Sequence, residues 1–205
     1  MRFFILSLPL LLSAVALPAV AQEASPQPMP PPSESAAAAP PPRDSTQKPV
    51  DGLFEALKRE RDPEKAKGIA SQIVAELNDS GSATINLLMQ WSANAIKEKN
   101  NAAALDFLDR VTLLDPSFAE GWNRRATLHY TLGDRRKSMA DVAEVLKHEP
   151  RHFGALAGMA GMLADAGSDE LALRAWERYL DIYPADREAQ EAAFTLSEKI
   201  AGNRT

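Results

Sequence analysis

The 205-residue chain contains no cysteine. That excludes a disulfide scaffold, a thiolate zinc site, a cysteine nucleophile and a lipid-modified N-terminal cysteine. It has only 3 histidines and no glycine-rich phosphate loop, so carboxylates are left as the abundant chemically active groups. Positive charge is also scarce: from Val50 to Thr205 there are 20 Lys and Arg against 25 Asp and Glu. The densest basic run is Arg135-Arg136-Lys137, and consecutive residues of a helix point in different directions, so the three build no stripe. A nucleic-acid-binding domain needs a positive footprint to neutralise phosphates, and this chain has none. Nucleic acid is therefore not expected as a partner.

Proline is unevenly spread. Of the 15 prolines, 9 fall between Gln22 and Pro49, two (Pro9 and Pro18) lie in an apolar leader, and four remain beyond them. The leader opens on Met1-Arg2, continues almost wholly apolar from Phe3 to Val15, and reaches the small-x-small triplet Ala19-Val20-Ala21. This pattern predicts a secretory signal peptide, 1–21, cut after Ala21. An uncleaved anchor is the competing reading, because 19 mostly apolar residues are near the lower limit of a span; Pro9, Pro18 and the cleavage triplet count against it. No later stretch is long and apolar enough to span a bilayer. The mature chain is thus expected to be exported, to the periplasm in a Gram-negative source. Residues 22–50, QEASPQPMPPPSESAAAAPPPRDSTQKPV, have almost nothing to bury, and their prolines fit neither helix interior nor sheet. They are expected to form a disordered Pro/Ala-rich linker, with the folded domain at 51–200.

Within that domain the sequence repeats. Pro116, Pro150 and Pro184 are 34 residues apart. The same shift superposes Ser92, Ala126 and Ala160; Ala104, Ser138 and Ala172; Leu108, Val142 and Trp176; and Leu88, Trp122 and Leu156. Lys99, Gly133 and Gly167 fall at the turn inside each unit. Each unit reads as two helices: in the middle one, 119–132 stops at Gly133, and Asp134 caps a second helix that Pro150 ends. Small residues are needed where two helix axes cross closely, and bulky ones fill the space between. One such pair cannot bury its apolar side alone, so the units must stack.

The segment AEGWNRRATLHYTLGD, Ala119 to Asp134, followed by Ser138, Val142 and Glu149-Pro150, resembles a tetratricopeptide repeat (TPR). Ile85 to Phe118 and Phe153 to Asp186 are similar to two more units. The chain as a whole is similar to exported TPR proteins of α-proteobacteria. The resemblance implies an all-α, right-handed superhelix: a degenerate helix pair at 51–84, repeats at 85–118, 119–152 and 153–186, and a polar-faced capping helix at 187–200. Upstream, Asp62-Pro63-Glu64 opens the second helix of the degenerate pair, about four residues out of register. The departures from the family pattern carry expectations too. Arg125 stands where the neighbouring units have Trp91 and Met159, so it must find an acceptor, Glu149 or Asp115 being candidates. Val111, Val145 and Tyr179 replace a usual alanine, which implies looser packing between units. Gly158 and Gly161 sit inside a predicted helix, each at a cost of roughly 1 kcal/mol relative to Ala.

His148-Glu149-Pro150-Arg151-His152 matches the H-E-x-x-H zinc-protease signature by letter. That chemistry needs both imidazoles on one helical face, and a proline in the turn between units prevents it. No catalytic residue, metal ligand or cofactor is expected. The resemblance places the first helix of each unit on a concave, peptide-receiving surface. Here that surface would include Asn86, Met89, Ala93 and Lys97; then Glu120, Asn123, Arg124, Thr127 and Thr131; then Gly154, Ala157, Gly158 and Gly161. Family members that clamp a C-terminal carboxylate do so with several Lys, Arg and Asn. The corresponding positions here are Met89, Ala93, Arg124, Gly154 and Gly158, and Arg124 alone could grip one. Asn86, Asn123, Arg124, Thr127, Gly154 and Gly158 are the expected partner contacts. Tight packing against Trp176 and Tyr179 is the alternative reading of the glycines. The function implied is a non-enzymatic protein- or peptide-binding adaptor or scaffold of the bacterial periplasm, its partner unknown. The alternatives are self-association through the last helix, or a small hydrolase using groove carboxylates.

Overall fold

The computed structural model describes residues 47–202, in which nine α-helices and no strand occur. They are α1 (Gln47–Arg59), α2 (Pro63–Asn78), α3 (Ala83–Lys97), α4 (Asn101–Leu114), α5 (Ala119–Thr131), α6 (Arg135–His148), α7 (Phe153–Asp165), α8 (Asp169–Ile182) and α9 (Arg187–Gly202). The expected signal peptide and all but the last residues of the expected linker lie outside the described residues. The linker boundary is corrected at one end. Helix α1 begins at Gln47, and Val50 is buried in the core, so the chain folds before position 51.

Local chemistry sets the helix ends. The Asp62 carboxylate accepts the Glu64 and Lys65 N–H groups at 3.0 Å each, with Pro63 in the first turn. Asn100, Asp134 and His152 cap α4, α6 and α7 in the same way, accepting from Ala103, Lys137 and Ala155. At the turn inside each pair, Lys99, Gly133 and Gly167 have φ of 59°, 82° and 72°. There the next residue's N–H reaches back five positions, as from Asp134 to His129 O and from Ser168 to Leu163 O at 2.9 Å. This is the Schellman closure that glycine favours; Lys99 adopts it at a cost of about 1 kcal/mol. Helices α4, α6 and α8 stop two residues before Pro116, Pro150 and Pro184.

Pairs α3–α4, α5–α6 and α7–α8 stack in order, and α9 lies along α8. The small residues sit at the crossings: Ser92, Ala104, Ala126, Ser138, Ala160 and Ala172 are all buried. The expected looseness at Val111, Val145 and Tyr179 is not found, since all three are buried as well. The reason at Val111 is compensation in the next unit. A Cβ on Gly121 would lie 2.6 Å from Val111 Cγ1, so the larger residue on α4 is matched by a missing side chain on α5. Tyr179 instead joins an aromatic cluster with Phe153, Trp176 and Tyr183, ring centroids 5.4–6.0 Å apart. Gly121→Ala should therefore lower stability by about 2 kcal/mol, because buried, branched Val111 has nowhere to move. Gly68→Ala on α2, where nothing lies within 4 Å, should be neutral or stabilising. Urea midpoints of the two variants decide the matter.

The upstream pair departs most from expectation. Helices α1 and α2 do not stack on α3–α4 as a preceding repeat would. Their buried residues Phe54, Leu57, Ala66, Ala70 and Ile73 share one core with Phe153, Leu156, Tyr179, Tyr183 and Ala189, from α7, α8 with the residue that follows it, and α9. The core of α3–α4 contains no residue of α1 or α2. Two further contacts hold the hairpin in place: Asp51 pairs with Arg151 at 2.8 Å, and that guanidinium lies 4.2 Å from the Phe54 ring centroid. The chain reverses through Asp79–Ser82, where Gly81 has φ 71° and Asp79 accepts its N–H. Helix α2 thus returns across the face formed by α5 and α7 instead of extending the array.

Candidate functional site

The inner sides of α3, α5 and α7 form a face with three adjoining clefts. One, of about 370 Å³ between α3 and α5, is lined by Ile96, Lys99, Asn123, Arg124, Thr127 and Thr131 among others. A second, of about 190 Å³ between α5 and α7, is lined by Asn123, Thr127, Tyr130, Ser138, Gly158 and Gly161 among others. A third, of about 110 Å³, has Val74 and Leu77 of α2 as one wall and Glu120, His152, Phe153 and Gly154 opposite. Asn123 borders all three, and its side-chain amide donates to Glu120 at 2.9 Å.

Glu120 is the acid at the centre of this face. Burial pushes its carboxyl up, but the hydrogen bonds from His152 and Asn123 and the charge of Arg124 outweigh it and hold the group below its ordinary value. The His152 Nδ1 accepts the Ala155 N–H at 3.1 Å, which leaves Nε2 to donate to Glu120 at 3.2 Å. Both carboxylate oxygens are therefore in use, and no second carboxylate lines any of the three clefts. Nothing here resembles the two facing acids a carboxylate hydrolase needs. The two histidines of the H-E-x-x-H letters separate as well. His148 ends α6 near Glu144, while His152 caps α7 against Glu120.

The expected contact residues divide into those committed to the chain itself and those left open. Asn86 is committed: its amide donates to Asp79 at 2.7 Å and accepts from the Ser80 hydroxyl at 2.7 Å. Arg124 is engaged within the chain. Its Nη2 donates to Asn78 of α2 at 2.7 Å and lies 3.5 Å from Glu120, so the returning hairpin engages the one side chain at these positions that could grip a carboxylate. Thr127 bonds back to Asn123 O at 3.0 Å and remains exposed. Gly154 and Gly158 are exposed. Tight packing does not account for the glycines: a Cβ on Gly158 or Gly161 would meet nothing within 4 Å, and one on Gly154 would meet only His152. Sequence reasoning missed two participants, the α2 wall and the Ser138 hydroxyl, which is buried, lines the α5–α7 cleft and has no hydrogen-bond partner among the described residues.

Arg125 forms the ion pair expected of it, with different partners. Its Nε and Nη2 donate to Asp141 at 2.9 and 2.7 Å, and its Nη1 to Asp109 and Thr112 at 2.7 and 2.9 Å. It also stacks 4.7 Å over the Trp122 ring. Glu149 is occupied by Arg151, and Asp115 by the Ser117 backbone and hydroxyl. The Asp141 hydrogen bond is the main reason the guanidinium pKa lies above its ordinary value. At the far end, α9 exposes Phe194 among Arg187, Gln190, Glu191 and Glu198, so its outer side is polar with a single aromatic. No described helix is long and apolar enough to cross a membrane.

Stacked antiparallel helix pairs, each packed on its neighbours, define an α-helical repeat solenoid. The first TPR domain of Spaghetti (RPAP3), solved with the HSP90 peptide SRMEEVD, superposes with a TM-score of 0.54 at 18% identity, over 58% of this chain and 95% of that one. The Sgt2 TPR domain from Aspergillus fumigatus gives a TM-score of 0.54 at 17% identity, over 60% and 84%. No family model matches the chain. A TPR repeat-containing protein of Rhizobium etli is 63% identical over 161 residues, 78% of this chain and 79% of that protein. The chain belongs to the TPR repeat-containing proteins.

Proposed function

We propose that this protein is a non-enzymatic adaptor that holds a protein or peptide segment in the cleft between α5 and α7. The observation that carries the reading is the pair Gly158 and Gly161. Each costs roughly 1 kcal/mol within a helix, and no neighbour occupies the space their side chains would take. A partner whose backbone comes close to α7 gives that space a use. Asn123 offers a side-chain carbonyl oxygen at the rim of the same cleft. Two solved neighbours, the Spaghetti (RPAP3) domain and the TPR2B domain of yeast Sti1, are complexes with an HSP90 peptide and with pHsp70. The acidic peptide SRMEEVD is not the kind of ligand proposed here, because Arg124 is engaged by Asn78 and the other clamp-corresponding positions, Met89, Ala93, Gly154 and Gly158, carry no cation. A neutral segment with small side chains fits better. Its setting is taken to be the bacterial periplasm, on the strength of the leader, and recovery of a mature chain beginning at Gln22 from that compartment checks this.

The double variant Gly158→Ala/Gly161→Ala separates binding from folding. It should raise stability by about 1–2 kcal/mol, since alanine is the better helix former and meets no neighbour. Capture of partner proteins from a periplasmic extract should fall sharply at the same time. A variant that is more stable and captures the same proteins would place the partner elsewhere.

A further inference from the structure

We infer that the outer face of the α3–α4 hairpin is the contact surface of a two-fold homodimer. In the units that follow, the residue corresponding to Leu87 is covered by the preceding hairpin. Gly121 abuts Val111, and Ala155 is buried. The residue corresponding to Trp91 is Arg125, which reaches back to Asp109 and Thr112 of α4. In α3 these two stacking positions hold Leu87 and Trp91, 42% and 44% exposed, and Leu114 of α4 is 54% exposed. Trp91 lies against Phe107, ring centroids 5.6 Å apart. The pair that would have covered this face, α1–α2, is packed instead on α7, α8 and α9. The result is a repeat-stacking surface with no repeat on it among the described residues.

Its occupant should be a hairpin of the same kind with an apolar face of its own, and a second copy of α3–α4 is such a hairpin. The other end of the array is a poor match: around Phe194, α9 exposes Arg187, Gln190, Glu191 and Glu198. Apolar surface pairs with apolar surface, so two copies meet head to head about a two-fold axis and do not grow into a filament. Leu87, Trp91, Phe107 and Leu114 bring no charge into such a contact. Two helices about 21 Å long, side by side, bury roughly 1,000 Å² in total when two such faces meet, the lower limit for a specific interface. The dimer is accordingly weak, with a dissociation constant on the order of micromolar.

The test uses the full chain in sedimentation velocity from about 1 to 100 µM, a range chosen to bracket that constant. Wild type should pass from monomer to dimer, and Leu87→Lys/Trp91→Glu should remain monomeric with an unchanged helical circular dichroism spectrum. Because the chain has no cysteine, one introduced thiol reports geometry directly. Leu87→Cys should form a covalent dimer under mild oxidation, and Phe194→Cys should not. A wild type that stays monomeric, including one whose Trp91 face is shielded by residues 1–46 of its own chain, overturns the inference. So does a dimer indifferent to the Leu87 and Trp91 changes, or equal cross-linking at both cysteines.

Discussion

Arg125→Ala should destabilise the folded protein by about 3–5 kcal/mol, because it leaves a buried carboxylate without its counter-ion. Asp141 is 5% exposed, and its two oxygens take the Nε and Nη2 of this one guanidinium. With the arginine gone, His129 is left beside that carboxylate, its Nε2 3.9 Å away. The same residue ties α5 to α4 through Asp109 and Thr112, so both the interior of one pair and its seam with the preceding pair are lost together. Asp109→Asn should cost far less, under about 1 kcal/mol, since that carboxylate is largely in water. The double change Arg125→Met/Asp141→Leu should recover much of the loss, because two apolar groups of similar size need no pairing. Urea denaturation of the four proteins measures this. An Arg125→Ala variant with the wild-type midpoint would show that the fork carries no net stability.

This ion pair shows what the sequence made legible and where legibility stopped. The 34-residue period located the turns, the small residues at the crossings and the prolines, because each is imposed by local backbone geometry or by helix approach repeated identically. The oddity of Arg125 was visible in the same register. Its partner was visible too, one column further on: Trp91 and Phe107, Arg125 and Asp141, Met159 and Ala175 are each 16 residues apart. The unit that exchanges the first aromatic of that pair for a cation exchanges the second for an anion. Looking for a nearby acid along the chain, rather than for the position facing it in the hairpin, led to Glu149 and Asp115. The same applies to Gly121, which is meaningful only against Val111 of the preceding unit. The clefts were harder to read. That Gly158 and Gly161 face open space depends on what is not packed there, and no local pattern encodes an absence. The course of α1–α2 was not legible at all. Amphipathic spacing shows that a helix has a side to bury but not against which neighbour, and the turn at Asp79–Ser82 decides that.

The placement of α1–α2 has a large and localised consequence. Phe54→Ala should cost about 3–5 kcal/mol, as loss of a buried aromatic generally does. The ring is 4% exposed, packs edge-on to Phe153 and lies beneath the Arg151 guanidinium. Magnitude alone does not discriminate between arrangements; the location of the damage does. If α1–α2 closes over α7 and α8, amide hydrogen exchange should accelerate in α7, α8 and the start of α9, with α3 and α4 least affected. Were the hairpin stacked as a preceding repeat, α3 would lose protection first. The groove face should respond as well. Asn78 and Leu77 belong to the same α2 helix, so loosening it frees Arg124 from Asn78 and removes one wall of the cleft at Glu120 and His152. The freed guanidinium would then sit one turn from Glu120 on an open face, with the cationic character that the repeat pattern first led one to expect. A carboxylate-bearing peptide that binds Phe54→Ala but not the wild type would therefore show that α2 sets the specificity of this groove by occupying part of it.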